Sequence, residues 1–244
     1  MIGKIMEDLY PVTTSADFSI GDINYYAQGG VSCYVIKGEN GDLLIDTGLF
    51  NIWKGLSEWL KGFDIRYILL THAHADHDWN VSKLQSNGIK VFLSIKDRGL
   101  RRNYLSQPVC PTSSKYIPRN IEQWIVGSVF NSPPYDADIY FDVNDRDILS
   151  RYGFKAKVIA LPGHTYGSVG VYHKGTLYCG DAFTALWGKP EITPHAVDIK
   201  MMKHSLKRML RLSPERLACG HGLPFSFDEA VPVIEEYLYK ESRR

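Results

Sequence analysis

The 244-residue chain lacks the marks of several protein classes. It has no run of 18 apolar residues, so we expect no membrane-spanning helix. Lys and Arg number 28 against 27 Asp and Glu, which gives a formal net charge of +1 and none of the basic excess that is typical of a dedicated nucleic-acid binder. With 44% hydrophobic and 23% charged residues, the composition is that of a globular protein.

Cysteine is scarce as well. The four cysteines are widely spaced and form no CxxC pair, which argues against a disulfide scaffold and against a cysteine-based zinc finger. Glu7 and Asp8 interrupt the N-terminal segment where a secretion signal needs an unbroken apolar stretch. We therefore predict a cytoplasmic protein with buried free thiols.

Apolar patterns along the chain predict alternating strands and helices. The strands are expected at residues 31–36, 42–48, 66–71, 89–94, 155–163 and 216–220, with a hairpin over 168–181 and helices over 51–62, 81–88, 199–212 and 227–240. The 66–71 strand should be buried on both faces, and Pro232 should lie in the first turn of the last helix. This order predicts one layered α/β (α+β) domain over residues 1–244.

Residues 96–150 are rich in proline and aromatic side chains and show no regular pattern apart from a possible helical piece near 120–128. This segment is expected to be an insertion. It either covers part of a pocket or packs as a peripheral lobe.

The most informative segment is THAHADHD, at residues 71–78. His72 and His74 are two apart, so in extended backbone both imidazoles point to the same side and can reach one cation. Asp76 and His77 follow where the chain turns into a helix, and they can reach a second cation nearby. Imidazole and carboxylate ligands suit zinc, and also iron or manganese.

Three distant segments add further ligand candidates at strand ends. His164 follows Pro162 and Gly163 on a sharp turn, Asp181 lies just past a strand, and His221 stands between two glycines. Seven metal-ligating side chains at strand ends are hard to explain without a metal. The sequence therefore predicts a metal centre there.

The segments LLIDTG (43–48), THAHADHD (71–78), GHT (163–165), GDA (180–182) and GH (220–221) together resemble the metallo-β-lactamase-fold hydrolase superfamily, in the family order. The resemblance implies a four-layer αββα sandwich with metals at one edge. It also implies that His72, His74 and His164 bind a first metal, that Asp76, His77 and His221 bind a second, and that Asp181 bridges them. Asp46 resembles the family's aspartate that orients ligands by hydrogen bonding.

Two divalent cations, with zinc preferred over iron or manganese, would share a hydroxide that attacks a carbonyl or phosphoryl centre. Asp76 is also a candidate to hold or relay the proton. We expect hydrolysis of a small ester, thioester or lactone. The alternatives are an iron-dependent oxidoreductase similar to persulfide dioxygenases, or a phosphodiesterase or β-lactamase type of hydrolase. The partner would be a small molecule rather than nucleic acid or membrane, and a homodimer is left open.

Several other residues are candidates for roles near this centre. His195 and Trp187 follow Asp181, where family members place pocket residues, so they are candidate substrate contacts; a structural role in its loop is the alternative for His195. His173 and His204 are expected to be structural. Trp79 and Asn80 replace the small residues common after the histidine motif and are expected to reshape the pocket floor.

Overall fold

The computed structural model describes residues 16–20, 23–118, 131–186 and 188–240. Strands β1–β14 in these ranges are Ala16–Ile20, Ile23–Gln28, Val31–Ile36, Asp42–Ile45, Ile65–Leu69, Lys90–Ser94, Cys110–Pro111, Ile139–Phe141, Lys157–Ala160, Val169–His173, Thr176–Gly180, His195–Ala196, Arg216–Cys219 and Phe225–Ser226. Helices α1–α5 are Trp53–Trp59, Ala75–Asp78, Val81–Gln85, Ile199–Leu212 and Phe227–Lys240. Short 3-10 helices lie at Phe50–Ile52, Leu60–Gly62, Ile95–Asp97, Tyr104–Ser106, Ser114–Tyr116 and Ile148–Tyr152.

Two sheets form the centre of the molecule. The first has the strand order β1-β2-β3-β4-β5-β6-β8, antiparallel from β1 to β4 and parallel from β4 to β8. The second has the order β14-β13-β11-β10-β9, in which only the β11–β13 pair is parallel among the described strands. Strands β7 and β12 form a separate small antiparallel pair.

Apolar side chains arrange the molecule in four layers. Tyr34 and Phe92 of the first sheet meet Val171 of the second in one buried cluster between the sheets. Leu56 of α1 belongs to a cluster on the outer face of the first sheet, and Leu206 of α4 belongs to one on the outer face of the second. Burial of each such side chain contributes about 1.5–3 kcal/mol. The resulting helix–sheet–sheet–helix order confirms the predicted αββα sandwich.

Helix α4 shows how the sequence specifies one of these layers. The carboxylate of Asp198 accepts a hydrogen bond from the backbone N–H of Met201 at 2.9 Å and so caps the first turn. Met202, Leu206 and Met209 recur at helical spacing and are fully buried against the second sheet. The helix therefore covers the predicted residues 199–212.

Three expectations differ from the structure. In β5 the side chain of Arg66 is exposed and pairs with Asp64 at 2.8 Å, so the strand is buried on both faces only in its second half. Pro232 is the sixth residue of α5 rather than part of its first turn, because the helix already begins at Phe227. Strand β8 pairs with β6, so the end of the predicted insertion belongs to the first sheet.

Two remaining points concern the limits of the described chain. The helical piece expected near residues 120–128 lies largely outside the described residues. Among the helices that are described, none combines the length and the apolar character needed to cross a bilayer.

Candidate metal centre

Four of the seven predicted ligands lie where β5 ends. His72 and His74 are in the loop after the strand, and His74 has the extended backbone expected from the spacing (φ −92°, ψ 152°). Asp76 and His77 lie in the single turn of α2 that follows. One short segment thus presents four side chains to the same edge of the sandwich.

The second sheet supplies the other three ligands. His164 follows β9, Asp181 follows β11 directly, and His221 follows β13. All seven side chains are buried, with residue exposures from 1% for His72 to 9% for Asp181. The structure therefore brings together side chains from four separate loops.

The seven residues form three overlapping groups whose ligand atoms lie within 4.8 Å of one another. These groups are His72 with His74 and His164, His72 with His77 and Asp181, and Asp76 with His77 and His221. Asp181 lies between the others: its Oδ1 is 3.4 Å from His77 Nε2, and its Oδ2 is 3.1 Å from His221 Nε2 and 3.7 Å from His164 Nε2. This is the placement expected of a ligand shared by two cations.

The donor atoms at this centre fit metal ions. Among the described residues, Nε2 of His72, His74 and His77 and Oδ1 of Asp181 are buried without a hydrogen-bond partner. Each unsatisfied buried polar atom costs about 1–3 kcal/mol, so four converging on one space are expensive to keep. Bound cations would satisfy all four atoms, and nitrogen with carboxylate oxygen is a donor set that zinc, iron and manganese accept.

Electrostatics divide the centre into two sides. Burial, reinforced by neighbouring imidazoles, holds the pKa of His72 and His74 well below the ordinary value, so both rings are neutral and keep a lone pair for a metal. Around His221, burial acts in the same direction, but Asp181 and Asp76 outweigh it and raise the pKa of His221 to about 10. The centre thus has an imidazole side and a carboxylate side.

Asp46 contacts one of the predicted ligands through its carboxylate. Its Oδ2 lies 2.8 Å from His77 Nδ1, which leaves Nε2 of that ring directed at the other ligands. The same carboxylate accepts hydrogen bonds from the backbone N–H and the hydroxyl of Thr71, both at 2.8 Å. Asp46 itself has a left-handed backbone (φ 57°), which Asp tolerates better than most residues. Such contacts fix ring orientation and ligand basicity.

Backbone carbonyls orient two further rings. His164 Nδ1 is 2.9 Å from the carbonyl oxygen of His195, and His221 Nδ1 is 2.8 Å from that of Gly30. The contact of His195 with the centre is thus made by its main chain, and a substrate contact by its side chain stays a prediction. Trp187, the other predicted contact, lies outside the described residues.

The two histidines expected to be structural bond to local carbonyls instead. His173 Nδ1 is 2.9 Å from the oxygen of Lys155, and His204 Nδ1 is 2.8 Å from that of Lys200. Neither is in a group of potential metal ligands among the described residues.

Sequence reasoning missed Asp97, a fully buried carboxylate beside the metal-binding loops. Its Oδ2 accepts from Ala73 N at 3.3 Å and Thr165 Oγ1 at 2.8 Å, while Oδ1 accepts from Gly167 N at 2.9 Å and Gln107 Nε2 at 3.0 Å. Burial raises the pKa of Asp97 above its ordinary value, although these bonds oppose the rise. The carboxylate therefore joins the loop of His72 and His74 to the loop of His164.

The contacts of Asn80 and Asp78 were not predicted either. Asn80 is buried, and its amide donates to the carbonyls of Thr47 at 2.9 Å and Leu49 at 3.0 Å, which ties the end of α2 to the loop of Asp46. The Asp78 carboxylate accepts from the hydroxyls of Ser132 and Tyr135, so part of the 96–150 segment packs on the ligand helix. Their position directly after the histidine motif was the available signal.

One glycine is required by close packing at the centre. A Cβ on Gly220 would lie 2.4 Å from His77 Cε1 and 2.5 Å from Asp181 Oδ1, closer than real contacts allow. The residue before His221 therefore has no room for a side chain.

Comparisons with known proteins agree with this geometry. A family model described as the metallo-beta-lactamase superfamily matches residues 26–221. The metallo-beta-lactamase fold-containing protein ST1585 of Sulfurisphaera tokodaii is 28% identical over 216 residues, covering 84% of this chain and 76% of that protein. A hydroxyacylglutathione hydrolase of Aeromonas hydrophila is 28% identical over 223 residues, covering 89% of this chain and 67% of that enzyme. The solved structure of TTHA1623 in a di-iron-bound form superposes with a TM-score of 0.59 at 25% identity, covering 89% of this chain and 98% of that chain.

Proposed function

Because the chain belongs to the metallo-beta-lactamase superfamily, we propose that it is a hydrolase that uses two divalent cations to cleave a small ester, thioester or lactone. One observation carries the proposal. Seven buried imidazoles and carboxylates from four loops converge, and four of their atoms have no hydrogen-bond partner among the described residues. A structural role alone would leave those atoms unsatisfied at considerable cost.

In this proposal the cations are held in two sets. His72, His74 and His164 would hold one cation, Asp76, His77 and His221 would hold the other, and Asp181 would be shared between them. When bound, such ions lower the pKa of water toward neutrality and polarise a substrate carbonyl. The protein's own contribution is to fix these side chains and to exclude bulk water from them, since all are at least nine-tenths buried.

Asp76 is the candidate catalytic carboxylate of this proposal. Burial opposes ionisation, but His77 and His221 outweigh it and hold the pKa of Asp76 well below the usual range. Its Oδ2 lies 3.4 Å from His221 Nε2, at the more exposed side of the centre. An ionised carboxylate at this position can hold the attacking water by a hydrogen bond, but its low pKa makes it a weak base, so ligation of a cation is its main role in this proposal.

The choice of an acyl substrate is supported by a relative. The enzyme from Aeromonas hydrophila is named for hydrolysis of a hydroxyacylglutathione, which is an acyl compound, and it aligns with 89% of this chain.

The identity of the metal separates two candidate functions. Zinc suits the donor set, whereas the di-iron form of TTHA1623 supports iron as the alternative metal, and with iron the second candidate function is oxidoreductase chemistry.

The test begins with metal analysis of the purified protein. About two zinc ions per chain together with turnover of an acyl substrate would support the proposal. Iron with oxygen consumption and no hydrolysis would support the second candidate instead. The substrate panel should include lactones, thioesters, simple esters, β-lactams and phosphodiesters.

A pair of variants makes the result specific. Asp181→Asn removes the shared carboxylate and should lower kcat by 100-fold or more and reduce the metal content. His204→Asn removes an imidazole that bonds only to a local carbonyl on α4, so it should leave both unchanged. Equal activity in Asp181→Asn and wild type would reject the assignment.

A further inference from the structure

The ligands of the proposed centre differ in their exposure. His72, His74 and His77 are 1–3% exposed, whereas Asp76, Asp181 and His221 are 7–9% exposed. Asp76 Oδ2 and His221 Nε2 are 3.4 Å apart. The centre is therefore most open on the side of Asp76 and His221, and a substrate would approach from there.

Two aromatic side chains border this opening. Trp79 follows the last residue of α2 and is three positions after Asp76, so the two lie on the same side of the helical turn. The Trp79 ring packs on Phe50, with centroids 5.2 Å apart. Phe50 is 40% exposed, an unusually large fraction for phenylalanine.

Two further apolar side chains follow other ligands. Leu223, which is 51% exposed, comes two residues after His221, and Tyr166, which is 41% exposed, comes two residues after His164. Two residues of chain span at most about 7 Å. We call Phe50, Trp79, Tyr166 and Leu223 the apolar rim.

Cationic side chains are missing from the segments that carry the ligands and the apolar rim. Residues 43–52, 68–82, 158–172, 176–186 and 217–227 contain no Lys or Arg. Recognition of a substrate carboxylate or phosphate usually relies on such groups. The loops that hold the ligands thus expose apolar surface and no positive charge.

Building on the hydrolase function proposed above, we propose that the group attached to the scissile carbonyl is uncharged and apolar, an aliphatic or aromatic acyl group or an alkyl-substituted lactone, and that it binds on the apolar rim. Three observations support this: the opening at Asp76 and His221, the exposed apolar side chains beside it, and the absence of Lys and Arg from the segments that carry the ligands. A thioester whose recognition depends on the two carboxylates of glutathione would fit this surface poorly.

The test uses metal-loaded protein and the p-nitrophenyl esters of acetate, butyrate and hexanoate. A fully buried methylene would raise kcat/KM about fourfold. On a partly open rim we expect a rise of about tenfold from acetate to hexanoate, mainly through KM. S-hexanoylglutathione should be no better a substrate than a neutral hexanoyl thioester.

Matched variants locate the effect. Phe50→Gln and Leu223→Gln should each reduce the hexanoate-to-acetate ratio of kcat/KM about threefold. Met201→Gln replaces a side chain that is equally exposed (41%) but lies on α4, and it should leave the ratio unchanged.

Two kinds of failure remain distinguishable. If kcat/KM did not change along the acyl series, or if the glutathione thioester were strongly preferred, the apolar-rim proposal would be wrong and the proposed hydrolase function would still stand. No turnover of any acyl compound by metal-loaded protein would overturn the proposed function, and the rim inference with it.

Discussion

Replacement of Asp97 by asparagine tests whether the loops of the centre are held together by one buried carboxylate. The carboxylate accepts four hydrogen bonds, two on each oxygen. An amide nitrogen cannot accept. With this nitrogen on the Oδ1 side, Asp97→Asn loses the bonds from Gly167 N and Gln107 Nε2; on the Oδ2 side it loses the bond from Ala73 N, whereas the Thr165 hydroxyl can rotate to accept.

The size of the effect follows from these contacts. A hydrogen bond to a charged acceptor contributes about 1.5–3 kcal/mol, so two of them give at most about 6 kcal/mol. Part of this is offset because burial disfavours the charged form, as the raised pKa of Asp97 indicates. We therefore expect the free energy of unfolding of the metal-free protein to fall by about 2–3 kcal/mol. Metal binding should weaken by about 10–100-fold.

The assay separates the two cations. Metal-free protein is titrated with zinc in competition with a chromogenic chelator. Asp97 Oδ2 contacts Ala73, between His72 and His74, and Thr165, next to His164. The cation assigned to those three histidines should therefore be weakened more than the one assigned to Asp76, His77 and His221.

Asp42→Asn is the matched control. Asp42 is also buried, and it accepts from Asp64 N at 3.0 Å and Lys37 Nζ at 2.7 Å. It begins β4, about 13 Å along the strand from Asp46. Its loss should lower stability but not metal affinity. If Asp97→Asn lost as much stability as Asp42→Asn while binding zinc as tightly as wild type, Asp97 would be a stabilising residue with no role in positioning the ligands.

Three further predictions concern packing, pH and metal removal. Gly220→Ala should lower metal content and kcat at least tenfold, because the added methyl group would displace His77 and Asp181. The control Gly62→Ala adds its methyl group to open space and should change neither quantity. Burial raises the pKa of Tyr237 to about 12, so this group ionises at lower pH in the unfolded chain and the free energy of unfolding should fall between pH 10 and 12. Tyr237→Phe should therefore lower the free energy of unfolding, measured with urea, by about 1 kcal/mol at pH 7 and by less at pH 12. Removal of metal with a chelator should abolish hydrolysis and lower Tm, and added zinc should restore both. The pH prediction would be wrong if the stability lost in Tyr237→Phe grew as the pH rose. Full activity of Gly220→Ala would contradict the packing prediction, and turnover that survives the chelator would contradict the metal prediction.

The seven ligand candidates could be predicted because each carries a local signal. His72 and His74 share one side of an extended segment, and His221 is flanked by glycines at the end of a strand. Since strand ends meet at the edge of a layered fold, such residues can be placed together from sequence alone. Helices α4 and α5 were equally clear from their apolar spacing.

Asp97 could not be predicted in the same way. It stands between Lys96 and Arg98, and this charged run is typical of solvent-exposed surface. Its burial arises only when the 163–168 loop, distant in sequence, packs over it. Strand β8 was missed for a similar reason, because three residues within a proline- and aromatic-rich segment become a strand only by pairing with β6.

The division of the ligands between the two sheets has a mechanical consequence. Four come from the end of the first sheet and three from the second, so ions shared among them would cross-link the two halves of the sandwich. Any sliding of one sheet over the other would then stretch coordination bonds, and amides in the core between the sheets should exchange with solvent more slowly, and in concert, once the ions are bound.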